Sequence, residues 1–131
     1  MVATGGTTLS ANSYSYGIVI NGPGAQVLNN TVTDVTAQGN SSGGGIYLVT
    51  SNNSVVESNR ISNVTTTGGE AKGIYLTGGS DILVSDNRIS GTIQGICFVA
   101  ANGATGTYMN NLVRSSGTKY IGGTAAGTTN Y

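Results

Sequence analysis

One short pattern, Gly-Ile-x-apolar, recurs four times and limits what this chain can become. It reads Gly17-Ile-Val-Ile20, Gly45-Ile-Tyr-Leu48, Gly73-Ile-Tyr-Leu76 and Gly95-Ile-Cys-Phe98, with the glycines 28, 28 and 22 residues apart. A second signature follows each. It reads Val27-Leu-Asn-Asn30-Thr-Val32, Val56-Glu-Ser-Asn59-Arg-Ile61, Val84-Ser-Asp-Asn87-Arg-Ile89 and Tyr108-Met-Asn-Asn111-Leu-Val113. Strand-type repeats of this period, separated by Gly and Asn turns and lacking a helical half, describe a β-solenoid.

Strand alternation then sorts the side chains. Ile18, Ile46, Ile74 and Ile96 point in, as do Ile20, Leu48, Leu76 and Phe98. Val27, Val56, Val84 and Tyr108 form a third inward column, and Val32, Ile61, Ile89 and Val113 a fourth. Asn30, Asn59, Asn87 and Asn111 fall where the chain must turn a corner. Asn tolerates the left-handed backbone of such corners, and stacked amides can bond from coil to coil. Leu9-Ser-Ala-Asn12-Ser-Tyr14 fits the same frame as a partial first coil, and Gly117 is placed to start a last one.

Composition excludes several functions. The chain has 131 residues, enough for one domain. Five basic and five acidic residues cancel, and only 8% are charged, which argues against nucleic acid. With no His, a His-dependent triad is excluded; one Cys excludes an internal disulfide and ordinary zinc sites. No cofactor and no metal are expected, since no Asp cluster is dense enough for Ca²⁺. No apolar run is long enough for a membrane helix, and the N-terminus lacks signal-peptide features.

The strand-plus-Asn-corner repeat resembles the pectate-lyase-like superfamily of right-handed parallel β-helices over residues 9 to 121. Val2-Ala-Thr-Gly-Gly-Thr-Thr8 resembles the segment that precedes the β-helix in bacteriophage tailspike proteins. The resemblance implies an all-β, single-stranded right-handed parallel β-helix of about four to five coils. Residues 1–8 would be a lead-in, 9–121 the coils, and 122–131 a tail that is irregular or packs on the last coil. It also implies a homotrimer, bacterial surface polysaccharide as partner, a virion-tail or other extracellular location, and a tail-attachment domain missing from this short chain. No membrane insertion is implied.

Site residues are sought where the repeat leaves side chains outside. The outward column of the Gly-Ile strand is Val19, Tyr47, Tyr75 and Cys97; its tyrosines suit a sugar platform or a protein interface. Cys97 reads as a packing residue. The longer spacings place residues 34–44 and 63–72 as neighbouring polar loops. They carry Asp34, Gln38, Asn40, Ser41, Ser42, Asn63, Thr65, Thr66, Thr67, Glu70 and Lys72. Tyr47, Tyr75, Arg60, Arg88 and Glu70 are the expected glycan-binding residues. Near one corner, Arg60 and Arg88 stand with Glu57, Asp81 and Asp86, a set suited to surface ion pairing. A glycosidase needs two carboxyls about 5 to 9 Å apart, and Glu57 with Asp86, one coil apart, is the best intrachain pair.

Three functions remain open: a binding or structural module on polysaccharide, an endo-acting depolymerase using Glu57 and Asp86, and an ice-binding solenoid. The last wants a flat outward Thr array, whereas the outward columns contain Tyr, Arg and Val.

Overall fold

The computed structural model describes residues 2–4, 14–127 and 130–131. Its described residues form fifteen strands: β1 (Val2–Thr4), β2 (Ser15–Asn21), β3 (Gln26–Leu28), β4 (Thr31–Ala37), β5 (Gly43–Val49), β6 (Val55–Glu57), β7 (Arg60–Thr66), β8 (Ala71–Thr77), β9 (Ile82–Ser85), β10 (Arg88–Ser90), β11 (Gln94–Val99), β12 (Gly106–Met109), β13 (Leu112–Arg114), β14 (Tyr120–Ile121) and β15 (Thr124–Ala125). Every third strand pairs in parallel. Sheet 1 is β1-β4-β7-β10-β13, sheet 2 is β2-β5-β8-β11-β14, and sheet 3 is β3-β6-β9-β12-β15. Three strands make one coil, and the coils stack into a three-sided β-helix.

The inward columns fall as the alternation requires. Val32, Ile61, Ile89 and Val113 are in register across sheet 1. Ile18, Ile46, Ile74 and Ile96 are in register across sheet 2, followed by Tyr120. Sheet 3 contributes Val27, Val56 and Val84, then Tyr108. Nearly all of these aliphatic residues are fully buried in one continuous core. Tyr108 and Tyr120 stack at 4.5 Å towards its C-terminal end.

The repeated glycine has a steric cause. A Cβ on Gly73 would lie 2.7 Å from the Gly95 carbonyl oxygen and against the Ile89 side chain. Gly17, Gly45 and Gly95 meet the equivalent inward residue of sheet 1 and the backbone of the next coil. The glycine also interrupts the alternation. Ser15 and Ala71 on one side, and Ile18 and Ile74 on the other, are all interior, so the glycine supplies one extra residue between two inward positions. Tyr16, Lys72 and Gln94 therefore share a column on the outer face.

The Asn corners form the expected ladder. Asn30 Nδ2 donates to Asn59 Oδ1, Asn59 Nδ2 to Asn87 Oδ1, and Asn87 Nδ2 to Asn111 Oδ1, each at 3.0 Å. The left-handed backbone, expected at these asparagines, belongs instead to the residue before each: Asn29, Ser58, Asp86 and Asn110 have φ of 55°, 56°, 56° and 54°. That turn aims the following amide into the bend, where it meets its neighbour.

Residues 34–44 and 63–72 are neighbours but are largely strand rather than loop. β4 and β7 run on past a second left-handed bend at Asp34 and Asn63. They pair there through Val35 with Val64 and Thr36 with Thr65. Asn63 Nδ2 donates to Asp34 Oδ1 at 2.6 Å across the bend. Val35 and Val64 are buried, and this apolar pair anchors the extension.

Both ends add to the stack. Val2–Thr4, within the expected lead-in, pairs with Thr31–Thr33. In the tail, Thr124 and Ala125 pair with Thr107 and Tyr108. Asn130 Oδ1 accepts from the Asn111 backbone N–H at 3.3 Å, which extends the ladder by one rung. The proposed partial coil from Leu9 through Asn12 lies outside the described residues.

Candidate functional site

The outer face of sheet 2 gathers most of the chain's chemistry. Tyr47 and Tyr75 are in-register neighbours, and their rings stack at 4.9 Å. The stack is longer than the column predicts. Tyr16 lies on Tyr47 at 4.5 Å, and Tyr14 follows at 6.3 Å. Tyr16 reaches Tyr47 because its register partner is Gly44, whose missing side chain leaves room for the ring. Strict alternation from Ile18 would turn Tyr16 inward, and the glycine step turns it out. Thr77 Oγ1 donates to Tyr47 Oη at 2.9 Å.

The strand that carries Tyr75 also places a cation against the stack. Lys72 Nζ lies 4.7 Å from the centroid of the Tyr75 ring, a cation–π contact. It forms an ion pair with Glu70 Oε2 at 2.6 Å and a longer hydrogen bond to Ser42 Oγ at 3.4 Å. The Lys72 side chain is 4% exposed and that of Glu70 57%, so the ammonium is buried under the stack while its carboxylate partner faces solvent. The hydrogen bond and charge of Lys72 hold the Glu70 carboxyl below its ordinary value, assisted by a hydrogen bond with Gln94. Beyond this pair, Glu70, Lys72, Tyr75, Gln94 and Cys97 line an open cleft of about 530 Å³. The Gln94 Oε1 atom there is buried without a hydrogen-bond partner.

Titration on this face follows from burial. Tyr16 is pushed well above its ordinary value by burial first, then by the negative charge that Tyr47, Tyr75 and Tyr14 would carry when ionised. Tyr75 is raised by burial first, then by the negative charges of Tyr47, Cys97, Glu70 and Tyr14. Cys97 is 5% exposed, and burial raises its thiol. A raised thiol has little thiolate character, consistent with a packing residue beside Tyr75.

The remaining expected site residues lie elsewhere. Arg60 and Arg88 are in register on sheet 1, so they do not join the tyrosines and Glu70. The ion pairing expected around their corner is absent: among the described residues the ion pair is Lys72–Glu70. Glu57 is in line with Leu28 and Ser85, one register step from Asp86. Asp86 occupies the left-handed corner position, a role that Asn29, Ser58 and Asn110 fill in other coils. Asp81 also has a left-handed backbone, in the turn before β9. Among the described residues no three acidic or cysteine side chains converge as a metal site would require.

A three-sided parallel coil with an inward aliphatic stack and an Asn ladder defines the β-helix class. The chain belongs to the right-handed β-helix family: the family model described as a right handed beta helix region matches residues 2–130. No curated protein matches the chain, and no solved structure does.

Proposed function

We propose that this chain is a β-helix module that contacts bacterial surface polysaccharide, acting by binding, and that the outer face of sheet 2 is the contact surface. The observation that carries this reading is the Tyr14–Tyr16–Tyr47–Tyr75 stack running into the Lys72–Glu70 pair. The rings cover one another, so the stack offers sugars its edges and one open end ring, Tyr14, which is 64% exposed. Glu70 and Gln94 add polar groups suited to sugar hydroxyls. A row of rings along the solenoid axis suits an extended chain of sugars better than a compact small molecule. Resemblance to tailspikes supports a homotrimer on a virion tail or another extracellular structure, joined to an attachment domain outside this chain.

Binding of oligosaccharides cut from O-antigen and capsule is the test, read by calorimetry. Wild type should bind at least one of them, and Tyr75→Ala together with Tyr47→Ala should abolish that binding. Absence of binding across a broad panel would reject the reading. The depolymerase alternative rests on Glu57 and Asp86 standing at one corner of adjacent coils. Release of reducing ends by wild type, lost in Glu57→Gln and Asp86→Asn, would replace binding with catalysis.

A further inference from the structure

Sheet 1 concentrates positive charge in a chain that is neutral overall. Arg60 and Arg88 are directly opposed on adjacent strands. Arg114 follows on the next coil, in line with Ser90. All three are exposed, so three of the five basic residues share one face. One acid, Asp34, also lies on sheet 1, in β4, but no acid lines the cavity the arginines share. Asp34 is bonded by Asn63, Glu70 by Lys72, and Asp81 sits in the turn before β9. Glu57 and Asp86 lie across the Asn corner and form no ion pair with these arginines. Like charges directly opposed across a sheet destabilise it, yet here they are retained around one cavity. That cavity is about 310 Å³ and is lined by Arg60, Arg88, Ile89, Ser90, Leu112 and Arg114.

We propose that this cavity binds one tetrahedral oxyanion, a phosphate or sulfate group, through Arg60, Arg88 and Arg114 with the Ser90 hydroxyl. Each guanidinium presents a rigid fork of donors that matches an oxyanion. Coils about 4.8 Å apart and a two-residue step of about 7 Å along the strand put the three arginines on one cavity, within reach of one such group. A carboxylate is satisfied by a single fork. Three forks match a group with at least three acceptor oxygens, and that anion would relieve the repulsion between Arg60 and Arg88. The site is separate from the tyrosine face and stands whether or not that face binds sugar. The group can be a free ion or an ester on a polymer.

The test is calorimetry on the full chain at low salt with inorganic phosphate, inorganic sulfate and acetate, then with dextran sulfate and plain dextran. Phosphate or sulfate should bind and acetate should not. Arg88→Ser and Arg114→Ser should each weaken binding about tenfold or more, as expected for loss of a charge-assisted pair. Lys119→Ser, a base outside the cavity, should leave binding unchanged. Phosphate should raise the Tm of wild type and not that of Arg88→Ser, a readout that also shows whether the variant is folded. Dextran sulfate binding more tightly than free sulfate, with the same dependence on Arg88, would identify a polymer-borne ester; equal binding would identify the free ion. Equal loss in Lys119→Ser and Arg88→Ser, or acetate binding as well as phosphate, overturns the proposal.

Discussion

Asn59 Nδ2 donates to Asn87 Oδ1 at 3.0 Å, and the Asn59 backbone N–H reaches the same oxygen at 2.9 Å. One amide oxygen thus satisfies two buried donors of the preceding coil. Asn59 repeats the arrangement for Asn30, whose backbone N–H and Nδ2 both donate to its Oδ1. Its Nδ2 also donates to the Val27 carbonyl at 2.8 Å. Asn59 and Asn87 are 1% and 0% exposed, so water does not replace these bonds.

Asn59→Ala should therefore destabilise the chain by about 2–4 kcal/mol, because it strands several buried polar groups at once. Asn52→Ala is the control. Asn52 Oδ1 accepts one exposed hydrogen bond from the Ser80 N–H, and its loss should cost less than about 1 kcal/mol. Urea denaturation of both variants gives the comparison. Equal losses would remove the ladder from the account of stability.

Gly73→Ala tests the close approach of sheets 1 and 2. The added methyl meets Ile89 and the Gly95 carbonyl oxygen. Neither has free space, since Ile89 is core and the carbonyl is backbone. Overpacking of this kind costs about 1–3 kcal/mol or more, read as a lower denaturation midpoint. An unchanged midpoint would show that the glycine is dispensable.

The core was legible in the sequence because a solenoid repeats both its period and its alternation, so Ile18, Ile46, Ile74 and Ile96 announce one another. Two features were hidden. The strand extensions past Asp34 and Asn63 resemble loops, being rich in Thr, Ser and Gly. Only Val35 and Val64 betray an inward column, and the left-handed bend before them breaks the phase with Val32 and Ile61. Tyr16 was hidden for a related reason: Gly17 adds a residue between two inward positions, which simple alternation does not foresee. Of the candidate face, the sequence pointed to Tyr47, Tyr75 and Glu70, which the fold brings together, and to Arg60 and Arg88, which it puts on sheet 1. The spacing predicts Lys72 only as a loop residue, since its burial depends on contacts with Glu70 and Tyr75 that no local pattern encodes.

Glu70→Gln tests the Lys72 pair. The lowered Glu70 value means that its stabilisation is present above the ordinary carboxylate range and is lost as pH falls through the lowered folded value. Glu70 is more than half exposed, so solvent screening keeps the loss at neutral pH to about 1 kcal/mol. The Tm difference between wild type and Glu70→Gln should shrink towards zero in acid. A difference that persists unchanged there would assign it to packing rather than charge.

Alkaline titration reads the tyrosine face. Tyr16 is raised by burial and by neighbouring tyrosines, and Tyr75 by burial and by the charges of Tyr47, Cys97, Glu70 and Tyr14. Burial, then Tyr108, pushes Tyr120 up to about 12. Raised folded values mean stability that is complete below the ordinary tyrosine value and is lost as pH rises through the folded ones. Ultraviolet titration should show a late group, comprising Tyr16, Tyr75 and Tyr120, that coincides with unfolding. Tyr16→Phe should remove part of the late group. A single transition near the ordinary value would mean that the rings are not packed as described.

The most direct measurement of the central claim is a titration of the tyrosine ring resonances with oligosaccharides from bacterial surface polysaccharide. The seven tyrosines serve as reporters on different surfaces. Saturable shifts at Tyr14, Tyr47 and Tyr75, with Tyr108 and Tyr120 unmoved, are the predicted result. Shifts confined to Tyr108 and Tyr120, or none with any glycan, would contradict the assignment of the sheet 2 face as the contact surface.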